Sequence, residues 1–293
     1  MNCFIRITYE TLNHLNMKYF YLVKLKKGVG IILGIKQQIE QDEWIEALER
    51  TRERLEEDPE YRKRIICLKN KTQEEIKKKI AGKKVAVSWS GGKDSIVLKH
   101  LCQQIGINRT FWVRSNLEYP EVVNWADKHG PDNLEVVNTG QDLKWLVKNR
   151  HMLFPQHGKI ASIWYKIVQN TGQKWYFEEN EIDMLLVGRR IKDGNDPGKG
   201  GMNVNKHGVV YYSPIYDWSH EDVMAYIEYF NIKLPPLYKW ANGFQVGTGP
   251  WAAREHTGSI QKGWEEVYNI NPSIVEKAAR HITSAARFLE NSE

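Results

Sequence analysis

The residues best suited to chemistry form one short run, Ser88-Trp89-Ser90-Gly91-Gly92-Lys93-Asp94-Ser95. Adjacent glycines let a backbone approach an anion without Cβ obstruction. Ser90 and Ser95 add hydroxyl donors, and Lys93 can neutralise a phosphate. Asp94 would repel a phosphate directly, so its expected work is capping a helix or receiving Mg²⁺. The spacing Gly-x-x-x-x-Gly-Lys-[Ser/Thr] of a Walker A loop is absent, and so is the three-glycine dinucleotide fingerprint. A glycine-serine turn without function is the bland alternative. A second cationic element is Arg189-Arg190, whose guanidinium groups offer paired donors to an oxyanion or form an ordinary solvated pair.

The elements around these residues predict how they are held. Lys84 to Trp89 is a candidate core strand, followed by a helix containing Ile96, Val97, Leu98 and Leu101. The run therefore lies where a strand gives way to a helix N-terminus, whose free amides and partial positive charge favour anions. Phe111–Val113, Leu134–Val137 and Met184–Val187 read as further strands. Helices are expected over Pro120–Lys128 and 141–149, with a longer helical stretch through Ile163, Ile167 and Trp175. Strands alternating with helices predict an α/β fold: an open, mostly parallel sheet with helices on both faces. Arg189 and Arg190 would follow the strand ending at Val187, at the carboxyl edge where such sheets bind ligands. Ser219 is expected to cap a helix reaching Tyr229, and Asn271-Pro272 to start a final helical segment reaching Leu289.

The front third reads as an N-terminal helical accessory region. Tyr19–Leu25, Lys26-Lys27-Gly28 and Val29–Ile31 suggest a small hairpin. Residues 41–58 suggest a charged helix with Trp44, Ile45, Leu48 and Leu55 on one face. Asp58-Pro59 signals a restart, and Thr72 with Glu75 fits a capping box opening a short helix that Gly82 closes. The expected organisation is an accessory region over 1–82, a nucleotide-binding domain over 83–250 and a C-terminal helical extension over 251–293. The accessory helices would pack on the catalytic domain or on a sister subunit.

Composition narrows the setting. A 41% apolar fraction supports a real core, and a formal charge of +6 would steer polyanions without proving nucleic-acid binding. No apolar run approaches the roughly 20 residues that span a bilayer, so no membrane partner is expected. The opening Met-Asn-Cys-Phe does not resemble an export signal, and a reducing cytoplasm is the expected compartment. Cys3, Cys67 and Cys102 lack metal-site or redox spacing, so neither an iron-sulfur cluster nor zinc is expected.

Ser90 to Ser95 match throughout the Ser-Gly-Gly-x-Asp-Ser signature, and here the sequence resembles the PP-loop ATP pyrophosphatase superfamily. Within it the chain looks most like the phosphoadenosine-phosphosulfate reductase group, which includes the small subunit of sulfate adenylyltransferase. The likeness spans about residues 83–250. It recurs at Asn116-Leu117-Glu118-Tyr119-Pro120-Glu121, similar to the group's Thr-Gly-x-x-[Phe/Tyr]-Pro-Glu, with Asn116-Leu117 taken to replace Thr-Gly. It recurs at Val187-Gly188-Arg189-Arg190, at Pro214–Trp218 and at Pro236-Leu237-Tyr238. The resemblance implies an adenine nucleotide alpha-hydrolase-like fold, ATP with Mg²⁺ as the nucleotide, and cleavage between its α and β phosphates. It implies that Ser88, Trp89, Ser90, Gly91, Gly92, Lys93 and Ser95 hold the nucleotide, with Asn116, Glu118 and Gly188 near it. It casts Lys93, Asp94, Arg189 and Arg190 as catalytic, with Asp94 as candidate Mg²⁺ ligand.

The departures point away from reduction. Relatives that reduce sulfonucleotides carry a carboxyl-terminal catalytic cysteine, whereas this chain has none after Cys102, and Gly243–Pro250 keeps no thiol. Sulfur transfer would then need a persulfide on a partner protein, or free sulfide. The expected reaction is adenylation of an acceptor with pyrophosphate release, in the modification of DNA, RNA or a nucleotide. Some relatives serve DNA phosphorothioation. Two alternatives stand beside it: a sulfate-adenylating subunit needing a GTPase partner, and a nucleotide-binding regulatory or scaffold subunit whose helices 41–80 contact a protein partner. A homo-oligomer is also compatible with the sequence. His100, His129 and His157 are available for acid–base work. Arg189–Gly208, with five glycines, is expected to act as an active-site flap. Ser90→Ala and Asp94→Ala are expected to impair turnover more than folding.

Overall fold

The computed structural model describes residues 22–25, 28–31, 41–240, 243, 247–255 and 257–291. The hairpin has its two strands in place, β1 (Leu22–Leu25) antiparallel to β2 (Gly28–Ile31) with Leu25 opposite Gly28. Residues 19–21, the turn at 26–27, Cys3 and the Trp44 side chain lie outside the described part.

The main sheet is built from β3 (Val85–Trp89), β4 (Thr110–Arg114), β5 (Leu134–Asn138), β6 (Met184–Val187), β7 (Met202–Val204) and β8 (Val210–Tyr212). Its spatial order is β5-β4-β3-β6-β8-β7, parallel throughout except for β7 against β8. The chain winds outward from β3 to β5, then returns to the other side of β3 to lay down β6. That reversal makes β3/β6 the switch point, where the connections leave the two strands in opposite directions and open a crevice. β7 and β8 carry no strong periodic signal, and the sequence reading left both out.

Side-chain alternation along buried strands feeds two cores. Ala86, Leu185 and Tyr211 face one and Val87, Leu186 and Tyr212 the other. The second core is covered by α1 (Gln41–Glu57), α2 (Pro59–Ile80), α3 (Lys93–Gln103) and α8 (His220–Tyr229), through residues including Leu55, Ile65, Ile76, Val97, Leu101 and Tyr226. The first is covered by α4 (Pro120–His129), α5 (Leu143–Lys148), α6 (Gly158–Tyr165) and α7 (Thr171–Glu179). It also takes in α9 (Ile260–Ile270), α10 (Pro272–Ala279) and α11 (Thr283–Glu290) through Trp264, Val267, Val275 and Phe288. Accessory helices and C-terminal extension thus share cores with the sheet.

Local signals hold where a cap decides the element. Asp58 accepts from the amides of Glu60 and Tyr61 at 2.9 and 3.0 Å, and Ser219 and Asp222 form a reciprocal capping box. They fail where packing decides. Thr72 opens no helix: α2 runs unbroken from Pro59 to Ile80, and the buried Thr72 hydroxyl instead accepts from Trp218 Nε1 at 3.2 Å. The final helical segment is two helices, because the chain turns between Ala279 and Thr283. Of the face expected on α1, Leu55 is buried but Ile45 is exposed.

Candidate active site at the switch point

The loop between β3 and α3 ties itself together with its own serines. Ser95 Oγ donates to the carbonyl of Gly92 at 2.8 Å and accepts from the Ser90 amide at 3.1 Å. The Ser90 hydroxyl lies 3.2 Å from it and accepts from the Gly92 amide at 3.3 Å. Gly91 takes φ +74°, a left-handed conformation that costs a side-chain-bearing residue about 1–2 kcal/mol. Gly92 occupies the cap position of α3 with extended backbone, so the free amides of the first helical turn begin beside the serine hydroxyls. One of them, the Lys93 amide, donates to the Tyr238 hydroxyl at 2.6 Å. A Cβ on Gly92 would lie 3.9 Å from both that hydroxyl and Thr248 Oγ1, so these two residues border the loop.

Gly188, directly after β6, has a packing role. A Cβ there would stand 2.9 Å from the Asp94 carbonyl carbon and from the Ser95 nitrogen. Only a residue without a side chain lets the end of β6 reach the first turn of α3. The next two residues then diverge. Arg190 is fully buried: its Nε donates to Asp94 at 2.7 Å and its terminal nitrogens to Asp193 at 2.8 Å and to the Trp218 carbonyl at 3.2 Å. The same nitrogen that meets Asp193 lies 3.2 Å from His220 Nδ1. Arg189 stays partly exposed, its guanidinium carbon 4.7 Å above the Tyr211 ring and its terminal nitrogen donating to the Tyr165 hydroxyl. Tyr165 ends α6 just before a π-helical turn, Lys166–Asn170, which resets the helix against β4.

Asp94 sits between cations. One carboxylate oxygen accepts from Lys93 Nζ at 2.7 Å and the other from Arg190. Burial pushes its carboxyl up, but Lys93 and Arg190 together hold it below the ordinary range. Both oxygens therefore face a cation, and Asp193 spends an oxygen on Arg190. Among the described residues no group of three or more His, Cys, Asp or Glu could hold a metal ion. A Mg²⁺ ion on Asp94 would have to share a carboxylate that Lys93 and Arg190 already engage.

The other expected site residues differ in their surroundings. Ser88 is buried and its hydroxyl accepts from Gln173 at 3.0 Å, while Trp89 is buried and stacked on Trp125 with centroids 6.1 Å apart. Both support the loop from below. Asn116 is exposed and accepts from Asn138 at 2.6 Å. Glu118 is buried with both oxygens on the Ser115 amide, at 3.0 and 3.1 Å, and burial pushes its carboxyl up. Counting back from Tyr119-Pro120 places Ser115-Asn116, rather than Asn116-Leu117, at the Thr-Gly positions. Ser115 supplies the hydroxyl, accepting from the Leu117 amide at 3.0 Å. The stretch 189–208 is not a simple flap, since Met202–Val204 is strand β7 and Gly198 and Gly201 pack against backbone. Asp193 falls in the stretch expected to close over the site, whereas nothing local in the sequence marks His220 or Tyr238 as neighbours of the loop. Only the family block at Pro236-Leu237-Tyr238 hinted at the last.

A family model described as the phosphoadenosine phosphosulfate reductase domain matches residues 84–247, more than half of the chain. The chain belongs to that family. Its members are enzymes acting on nucleotide-related substrates. The chain is similar to a crystal structure of phosphoadenylyl-sulfate (PAPS) reductase from Candida auris in phosphate complex. That similarity has 14% identity and a TM-score of 0.45, covering 60% of this chain and 89% of that one. It is also similar to the U34-tRNA thiolase NcsA from Methanococcus maripaludis, solved with its 4Fe-4S cluster. There the identity is 16% and the TM-score 0.41, covering 77% of this chain and 78% of that one. No curated protein matches the chain. Among the described residues no helix is long and apolar enough to cross a membrane.

Proposed function

We propose that the chain binds ATP with its phosphates on Ser90–Ser95 and transfers the adenylyl group to an acceptor, releasing pyrophosphate. The observation that carries this reading is the close packing of Gly188 against the Asp94–Ser95 backbone at the β3/β6 switch point, with Arg189 next in the chain. Serine hydroxyls, first-turn amides and Lys93 supply donors for the terminal phosphates, and Arg189 supplies a cation on the facing strand end. An acceptor oxygen attacks the α phosphorus, the bond from that phosphorus to the bridging oxygen breaks, and pyrophosphate leaves with the electron pair. An oxyanion acceptor needs no proton removed, whereas a hydroxyl or amide would release one. Any Mg²⁺ arrives with the nucleotide as part of the substrate, and no step is assigned to it.

Arg190 and Asp94 act in this reading as positioning residues, because each is occupied by the other. Asp94→Ala would bare a buried guanidinium, so the expectation that it spares folding gives way to one in which both folding and turnover suffer. Ser90→Ala is the cleaner probe. It should lower turnover about 10- to 100-fold, as loss of a donor to a charged group does.

Thiol-dependent reduction is disfavoured by the two cysteines among the described residues. No cysteine follows Cys102, and Cys102 lies in the core, where burial pushes its thiol far above the ordinary value. Cys67 is exposed on α2, outside the loop, Gly188-Arg189 and the Arg190 contacts. Incubation with ATP and candidate acceptors, including sulfate, oligonucleotides and transfer RNA, tests the proposal. AMP and pyrophosphate are the expected products, and ADP with phosphate as the main pair would overturn it.

A further inference from the structure

The web around Arg190 leaves one polar atom over. His220 is the first residue of α8, directly after the cap Ser219, and its Nδ1 lies 3.2 Å from an Arg190 terminal nitrogen. A guanidinium has donors and no acceptor, so Nδ1 must be the acceptor in that contact. The neutral imidazole then carries its proton on Nε2. Nε2 is buried and has no hydrogen-bond partner among the described residues. A buried N–H without an acceptor is rare and costly, and each one calls for an explanation such as a bound water, ion or ligand.

Its surroundings say what that ligand would be. Arg190, which the ring touches, also bonds Asp94 and Asp193, and Lys93 Nζ lies 2.7 Å from Asp94 and 4.0 Å from Asp193. These four groups are also the charges that act on the ring. Burial, Arg190 and Lys93 favour the neutral ring, and the two carboxylates oppose them. A neutral imidazole fixed as a single-proton donor beside Lys93 suits an anionic oxygen.

We propose that His220 is a further phosphate-binding residue, donating its Nε2 proton to an oxygen of the bound polyphosphate next to Lys93. This rests on the reading that the loop takes the phosphates of ATP. The competing role is purely internal, with His220 serving only to brace Arg190 through Nδ1.

Two substitutions separate the roles because each keeps one half of the ring's chemistry. His220→Asn can keep an acceptor near the Nδ1 position and loses the distal N–H. His220→Gln can keep a distal N–H and loses the Nδ1 contact. Pyrophosphate and a non-hydrolysable ATP analogue are titrated calorimetrically into the full chain. Wild type and His220→Gln should bind within about threefold of each other, and His220→Asn about tenfold or more weaker, the loss of one charge-assisted hydrogen bond. The reverse order, with His220→Asn like wild type, overturns the proposal in favour of bracing. Should either variant fail to fold, nitrogen-15 spectra of the wild-type imidazole decide. They should show an Nε2-protonated ring whose Nε2 resonance shifts when pyrophosphate is added; an Nδ1-protonated ring or an unmoved resonance overturns the proposal. Wild type that binds neither ligand overturns the reading of the loop as well, whereas binding with an unperturbed ring overturns this inference alone.

Discussion

Arg189 and Arg190 are neighbours in the chain and opposites in the fold. Arg190 passes into the α3/α8 side, where two carboxylates, a carbonyl and an imidazole engage its guanidinium and no surface is left. Arg189 turns to the other side, where aromatic rings of Tyr165 and Tyr211 flank it and leave it reachable from solvent. Taking a guanidinium out of water is costly unless every donor is matched, so Arg190 is tolerated only as part of a completed web. A cation resting on tyrosine faces keeps its charge available to an incoming anion. The same residue type at successive positions therefore supports the loop from within in one case and stays partly exposed over tyrosine rings in the other.

Arg190→Ala is the strongest way to break the comparison. It removes one of the two cations on Asp94 and the guanidinium partner of Asp193 in a part-buried place, and a loss of about 3–5 kcal/mol is expected in urea unfolding. Stability within about 1 kcal/mol of wild type would mean that Arg190 is no linchpin. Gly188→Ala comes next. The added Cβ would need backbone 2.9 Å away to move, with an expected cost of about 1–3 kcal/mol and a clear fall in ATP affinity. Unchanged nucleotide binding would show that the close approach of β6 to α3 is dispensable. Arg189→Ala should cost about 1 kcal/mol or less in stability yet lower the adenylation rate about 10- to 100-fold. Equal damage to both would erase the distinction between the two arginines.

The mildest test is acidification. His100, held by Tyr226 at 2.9 Å, and His220 both titrate below the ordinary histidine value of 6.5, chiefly because burial disfavours the charged ring. The unfolded chain then binds more protons than the folded one between the two values. Stability contributed by these groups is present above pH 6.5 and is lost as pH falls through their folded-state values. Thermal melting from pH 7.5 downward should show the decline, and His220→Gln should reduce it. A flat profile in wild type would mean that neither ring is held neutral by the fold.

Several interactions bind the accessory helices to this arrangement. Tyr61 donates to Glu221 at 2.8 Å, Arg52 pairs with Glu228 at 2.6 Å, and Arg64 pairs with Asp222, all on the helix that begins at His220. The residue types of α1 and α2 suggested packing on the domain or on a sister subunit. These contacts tie α1 and α2 to α8 within the chain.

Taken alone, the sequence determined the features that depend on near neighbours. Ser90–Ser95 must form a tight, donor-rich bend because its glycines and hydroxyls are consecutive, and the strands from Val85 to Val187 are legible as short apolar runs between helices. The caps at Asp58 and Ser219 are legible for the same reason, since each bonds two or three residues ahead. Tertiary structure decided which arginine is buried, why residue 188 has no side chain, and that Thr72 belongs inside a helix. It also brought Asp193, His220 and Tyr238 to the loop. Those outcomes depend on groups such as Asp94 and Arg190, or Lys93 and Tyr238, that are 96 and 145 residues apart in the chain. Such pairs meet only after the sheet has ordered its strands, and no local propensity encodes that order.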